Sequence, residues 1–314
     1  MNGTDAVREV PVAAAHEGQR VDLVVKEALG LSRAEVKQLF EEDRVRLDGR
    51  LVKKGGVARA GQVLRVTVPA AQPRTAVADE SFALPILSSD EVLVFADKPA
   101  HRPSHPLRPG ETGTVANALV ARFPEMADAS EDPREGGLCH RLDVETSGVI
   151  LGARTRPAWT ALREAFGQRG GVDKRYWALV SGPLADEGEI DLPLRHHPRH
   201  PDRVEADPSG GPGAREAVSE FRVLGRAGEL SLVEVKILTG VLHQVRAHLA
   251  SVGAPLVGDE LYGGRAWPGL DRFFLHARSL SVTHPVTGLP AQASAPLPAE
   301  LRRVLVEAGI STPA

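Results

Sequence analysis

The sequence predicts an α+β protein in two parts, a small module over 17–69 and a larger domain over 85–310, and three observations carry that prediction. In the first seventy residues the apolar positions recur at helical spacing and then switch to the alternation of strands. From Pro85 onward strands predominate without the strand–helix rhythm of a parallel sheet, so a mixed, largely antiparallel sheet flanked by helices and loops is expected. Charge divides in the same way. Residues 18–69 hold eleven Lys or Arg against seven Asp or Glu, a local excess of +4 in a chain of net charge -3, which leaves -7 for the remainder.

Val21, Val24, Val25, Ala28 and Leu29 fall on one helical face, and Gly30 supplies a stop. Ser32 and Glu35 stand at capping-box spacing, so a second helix begins at once and buries Val36, Leu39 and Phe40. Its outer face carries Arg33 and Lys37, four residues apart. Val45 and Leu47 alternate as a strand, Asp48-Gly49 forms a hairpin turn because both positions tolerate positive φ, and Leu64, Val66 and Val68 make the last strand. Residues 70–84, with Pro73 and several alanines, read as a linker. Beyond it Val92–Phe95 is an apolar run broken by Lys98-Pro99. Helices are expected over 115–123, 158–166 and 244–252, and strands over 149–153, 176–180, 217–223 and 231–237. The stretch from Leu194 to Arg215 is rich in Pro, Gly and charge and reads as a solvated loop. Its His196, His197 and His200 lack the partners of a convincing metal site.

Composition restricts the function classes. At 314 residues with 42% hydrophobic and 25% charged residues, the chain can bury two cores. The start lacks an apolar signal region and no apolar run reaches membrane-spanning length, so a cytoplasmic protein without membrane association is expected. Cys139 stands alone, which excludes an intrachain disulfide and a multi-cysteine zinc site.

The most informative string is His140-Arg141-Leu142-Asp143-Val144-Glu145-Thr146-Ser147-Gly148. It sets one carboxylate between a cation and a hydroxyl-bearing turn, just before the apolar run Val149-Ile150-Leu151. Asp143 would therefore sit on a loop anchored by a buried strand, which makes it the candidate reacting group rather than a surface partner of Arg141. Further along come Lys174-Arg175-Tyr176-Trp177, Thr239-Gly240 with His243-Gln244-Val245-Arg246, Gly258-Asp259 with Tyr262-Gly263, and Leu275-His276-Ala277 with His284-Pro285.

Taken in order, these segments resemble the RluA-type pseudouridine synthases, and 17–69 resembles an S4 RNA-binding domain. The resemblance implies an S4-like module followed by a pseudouridine-synthase-type domain that isomerises uridine in structured RNA, most readily large-subunit ribosomal RNA, by base flipping. It assigns Asp143, Tyr176 and Arg246 as catalytic: the carboxylate acts at the ribose, Tyr176 stacks on the base, and Arg246 pairs with Asp143. Whether Asp143 forms an adduct, stabilises positive charge or removes the C2′ proton stays open. Arg141 would enter the space left by the everted uridine, with His140 beside it on the RNA. The S4-like face would present Arg33, Lys37, Arg44, Arg46, Lys53 and Lys54 to phosphates. Neither cofactor nor metal is implied, and a monomer is favoured. Val241-Leu242 departs from the Arg-Thr common in the family. With the acidic second half, it motivates the alternative of a non-catalytic RNA-binding or ribosome-assembly protein. A hydrolase using Asp143 lacks a nucleophile elbow or a second carboxylate at suitable spacing.

Overall fold

The computed structural model describes residues 5–69 and 75–313. Two compact units divide the chain between Gln72 and Pro73.

In the first unit, β1 (Ala6–Pro11), β2 (Val45–Leu47), β3 (Arg50–Leu51) and β4 (Val63–Val68) form an antiparallel sheet in the order β1-β4-β2-β3. Helices α1 (Val21–Leu29) and α2 (Arg33–Glu41) supply Val21, Val24, Val25, Val36 and Leu39 to a core shared with Val45, Leu64 and Val66. Gly30 closes α1 at φ 64°, and Ser32 Oγ accepts from the Glu35 N–H while the Glu35 carboxylate accepts from the Ser32 N–H. Asp48 and Gly49 both take positive φ, as the tight hairpin requires. Strand β1 was not expected. Of its six residues only Val10 is buried, so it leaves no alternating apolar signal.

In the expected linker, 70–74 lie outside the described residues. From Thr75 the expectation needs correction, because the chain is packed on the second unit. Ala76 is buried and its N–H donates to the Pro133 carbonyl, while Asn117 Nδ2 donates to the Val77 carbonyl. Small residues that read as linker are also what a crowded surface accepts.

The second unit is built on one large sheet, whose strands are β5 (Ile86–Ser89), β6 (Leu93–Lys98), β7 (Ser147–Ala153), β8 (Asp173–Ser181), β9 (Glu187–Asp191), β12 (Val218–Ala227), β13 (Leu230–Ile237), β14 (Leu275–Thr283) and β15 (Pro290–Ser294). Among the described residues they run β5-β6-β7-β14-β8-β13-β12-β9, with β15 on β14, and only β7 with β14 is parallel. Helices α3 (Val115–Arg122) and α5 (Gln244–Ser251) pack with Ile150, Tyr176, Ala178 and Val235. Alternate residues of the same strands meet α4 (Arg156–Gly167) through Val149 and Leu151, and α6 (Ala299–Glu307) through Trp177 and Leu179. Burial on both faces explains why β7 and β8 read as apolar runs without alternation.

The solvated loop expected over 194–215 is in part a hairpin, β10 (Leu194–His197) with β11 (His200–Ala206). Leu194 and Val204 are buried against Ala217, Ala247 and Tyr262, an apolar footing too sparse to stand out among prolines and histidines.

Candidate active site

Asp143 lies in the turn before β7, and buried groups fix the backbone of that turn. Lys98, fully buried at the end of β6, donates from Nζ to the carbonyls of Val144 (3.0 Å), Thr146 (2.7 Å) and Pro99 (2.9 Å). Arg272 donates from Nη1 to the Glu145 carbonyl at 2.8 Å. Three successive carbonyls are thus held by two buried basic side chains. On the other side, Ser104 Oγ donates to the Leu142 carbonyl at 2.8 Å and accepts from the Leu142 N–H at 3.0 Å.

The Thr146-Ser147-Gly148 string has a packing reason. Ser147 Oγ bonds His276 Nδ1 at 2.9 Å and accepts from Arg272 Nη2 at 3.1 Å, fixing the parallel register of His276 against Ser147. Gly148 has φ 113°, and a Cβ there would stand 2.2 Å from the Ala277 carbonyl oxygen. Only glycine allows β14 so close.

Opposite Asp143, α5 presents Arg246, buried and 3.5 Å from the Asp143 carboxylate through Nη1. Its tighter bonds go elsewhere. Nε and Nη2 grip Asp259 bidentately at 2.7 and 2.8 Å, with the guanidinium over the rings of Phe273 and Tyr262 at 4.2 and 5.0 Å. Burial disfavours the charge, yet the hydrogen bonds and negative charge of Asp259, with that of Asp143, hold the Arg246 guanidinium above the ordinary arginine value. Asp259 was legible as part of a motif, but nothing in its spacing to Arg246 revealed the pairing.

His243 caps α5 in the left-handed conformation at φ 51°, with Nδ1 3.2 Å from the Tyr262 hydroxyl and Nε2 3.9 Å from Asp143. Burial, only partly opposed by Asp143, pushes its imidazole below the usual value, so the neutral form faces the carboxylate. Gln244 Oε1 accepts from Thr239 Oγ1 and the Val241 N–H, which shapes the preceding turn. Val241 and Leu242 pack on the apolar cluster of Leu194 and Tyr262, so the departure there exchanges a polar contact for a hydrophobic one.

Asp143, Tyr176 and Arg246 meet in one pocket of about 550 Å³, lined also by Arg141, Arg163, Phe166, Lys174, Arg215 and His243. Tyr176 comes from β8. Burial, then the Asp143 charge, raises its phenol well above the usual range, so it stays protonated. Lys174, two residues earlier, is also buried, which pushes its ammonium down to about 8.

The chain matches the RNA pseudouridylate synthase family over residues 92–251. It is 34% identical to ribosomal large subunit pseudouridine synthase D of Xanthomonas campestris, the match covering 96% of this chain and 92% of that one. The chain belongs to the RNA pseudouridylate synthase family. An RNA pseudouridine synthase of Chloroflexus aurantiacus is 38% identical over 95% of this chain and 92% of its own length. The solved structure of human RNA pseudouridylate synthase domain containing 4 shares the fold, with TM-score 0.58 and 24% identity over 73% of this chain and 95% of that one.

As an RNA pseudouridylate synthase the protein is an isomerase, and its pocket suits that chemistry, with a single carboxylate set among cations and closed in by aromatic rings. Of the remaining predicted residues, Arg141 is exposed at the pocket wall. His140 is held more firmly than a free RNA contact would be. Its Nε2 accepts from the Leu151 N–H at 3.0 Å and its ring stacks on Phe166 at 4.8 Å, and burial pushes it down to about 3, so it is neutral.

In the first unit Arg33 and Lys54 converge with Lys26 around one cleft, whose wall also carries Arg20 bound bidentately to Asp22 at 3.0 Å. Lys37, Arg46 and Lys53 are exposed, Lys37 paired with Glu41 at 3.4 Å. Arg44 differs from the expectation. It is bound to both Asp5 and Glu42, which removes most of its use as a free cation. Among the described residues no helix is long and apolar enough to cross a membrane.

Proposed function

We propose that Asp143 acts on the ribose of an everted uridine in large-subunit ribosomal RNA, with Arg246 orienting it and Tyr176 stacking on the base. The observation that carries this is the Arg246 guanidinium, clamped by Asp259 and still 3.5 Å from Asp143. An arginine fixed from behind orients the carboxylate and aims its oxygen into the pocket.

The chemistry is balanced within the nucleoside. The N1–C1′ bond breaks, the uracil turns, C5 bonds to C1′, and the proton lost from C5 is balanced by one gained at N1. Asp143 supplies negative charge where positive charge develops at the sugar. Tyr176, kept protonated, offers a ring face and a hydrogen-bond donor rather than a phenolate base. Arg141, exposed beside the pocket, would fill the gap that the everted base leaves in the RNA stack, an eversion that costs a few kcal/mol. The S4-like unit would grip RNA through the cleft of Lys26, Arg33 and Lys54.

Two relationships favour this over a non-catalytic RNA-binding role. Val241 and Leu242 have a packing role that leaves the acid and its arginine in place, and relatives along nearly the whole chain bear the names of synthases. Incubating wild type and Asp143→Ala with unmodified large-subunit ribosomal RNA, then mapping pseudouridine chemically, tests it. Product from the wild type alone is expected. Equal product from both ends the assignment.

A further inference from the structure

The pocket holds more positive charge than the reaction at Asp143 uses. Of its five Lys and Arg residues, Arg246 is neutralised by Asp259 and Asp143. Arg141, Arg163, Lys174 and Arg215 form no salt bridge among the described residues, although the Glu135 carboxylate feels the charge of Arg163. With Arg141 assigned to the RNA stack, three cations remain. Lys174 is the informative one, because it is only 7% exposed. Its Nζ donates to the Thr239 carbonyl at 3.0 Å, and an ammonium has three N–H groups. Burying a cation with donors to spare and no counter-ion is costly unless an anion arrives to complete it.

Lys174 and Tyr176 are two apart on β8 and so point to the same side, about 7 Å apart along the strand. Around Lys174 the pocket has a second half. Its Nζ is 5.6 Å from the Phe166 ring centre, and the neutral His140 stacks on that same ring. Arg163 reaches in from α4 and donates from Nη1 to the Cys139 carbonyl at 3.1 Å. Arg215, exposed, lines the same pocket ahead of β12. An aromatic floor that carries no charge lowers the local dielectric and strengthens whatever ion pair forms above it.

We propose that this half of the pocket binds a backbone phosphate next to the everted uridine, with Lys174 as its buried anchor and Arg163 and Arg215 as further cations of the lining. The proposal rests on the assignment of Asp143 given above. A lysine suits a phosphate as a compact point charge, and a phosphate contact one strand-step from Tyr176 sets the register of the RNA without reading sequence. A role confined to pinning Thr239 would use one N–H of Lys174 and leave its other two without a use.

The test is the salt dependence of RNA affinity for the full-length protein, with an unmodified large-subunit ribosomal RNA transcript as probe. Wild type, Lys174→Met, Lys174→Arg and Arg215→Gln are compared, with pseudouridine formation measured alongside. The expected result is a slope of log affinity against log salt shallower by about 0.7 in Lys174→Met and in Arg215→Gln, with Lys174→Arg restoring most of it. Because Arg215 is exposed, its effect does not depend on folding. Unchanged slopes in both Lys174→Met and Arg215→Gln overturn the phosphate site, and wild-type product in the same assay leaves the role of Asp143 standing. A wild type inactive on this transcript overturns the ribosomal assignment and, with it, the site inferred on that RNA.

Discussion

Asp259 is 1% exposed at its side chain and absent from the pocket wall, yet it decides where the Arg246 guanidinium can point. Asp259→Asn weakens the clamp while leaving the RNA-facing surface intact. Displacing a reacting group by about 1 Å can cost about a hundredfold in rate. The expected outcome is therefore a kcat lower by about tenfold to a hundredfold with RNA affinity unchanged, checked by single-turnover kinetics beside equilibrium binding. A loss of affinity with kcat intact would remove Asp259 from the positioning of Arg246. Lys174 carries a pH signature as well. Burial lowers its ammonium to about 8 from the ordinary 10.5, so across that window the unfolded chain binds a proton that the folded chain lacks. Stability then rises with pH between those values. Urea titrations near pH 8 and near pH 10 should show wild type gaining stability relative to Lys174→Met, and a difference independent of pH would contradict this. Asp143, Tyr176 and Arg246 were legible because each sits in an ordered motif. Asp259, Lys98 and Arg272 were not assigned, because they act on backbone or on another side chain at distances that spacing does not encode.

Among the elements, the turn that carries Asp143 depends on its junction with β7 and β14. Gly148→Ala would place a methyl 2.2 Å from the Ala277 oxygen at a φ of 113°. Strain of that kind costs about 1–3 kcal/mol, and relief by separating the strands would also disturb the turn. Lower denaturant midpoint together with lower turnover is expected, and a variant as stable as wild type would show that β14 can give way. Lys98→Met would strip the donors from the Pro99, Val144 and Thr146 carbonyls. At about 1–3 kcal/mol for each buried group left unsatisfied, a loss of stability measurable by urea titration is expected, and wild-type stability would mean water replaces the amine. The elements were largely readable. Residues 21–29 and the Ser32 start of α2 follow from apolar spacing and capping, and Gln244 marks the start of α5. What escaped reading has a shared cause. Strand β1 buries too little to alternate, and the β10–β11 hairpin rests on two buried residues, Leu194 and Val204.

Across both units, the net charge of -3 conceals a division of labour between a basic cleft in the first and a cation-lined pocket in the second. Charge counting by segment exposed the first, while the second was hidden because Arg141, Lys174 and Arg215 lie far apart in the chain. Reversing Arg33 and Lys54 to Glu should weaken RNA binding and flatten its salt dependence, with the single-turnover rate at saturating enzyme unchanged, since neither residue belongs to the pocket. An altered saturated rate would argue that the first unit takes part in the chemistry itself. The role of Asp143 is tested most directly by the isosteric variant Asp143→Asn, compared with wild type in single-turnover pseudouridine formation on RNA that both bind to saturation. RNA affinity close to that of wild type and no pseudouridine from the variant are predicted. Pseudouridine formed by Asp143→Asn at the wild-type rate would contradict that role.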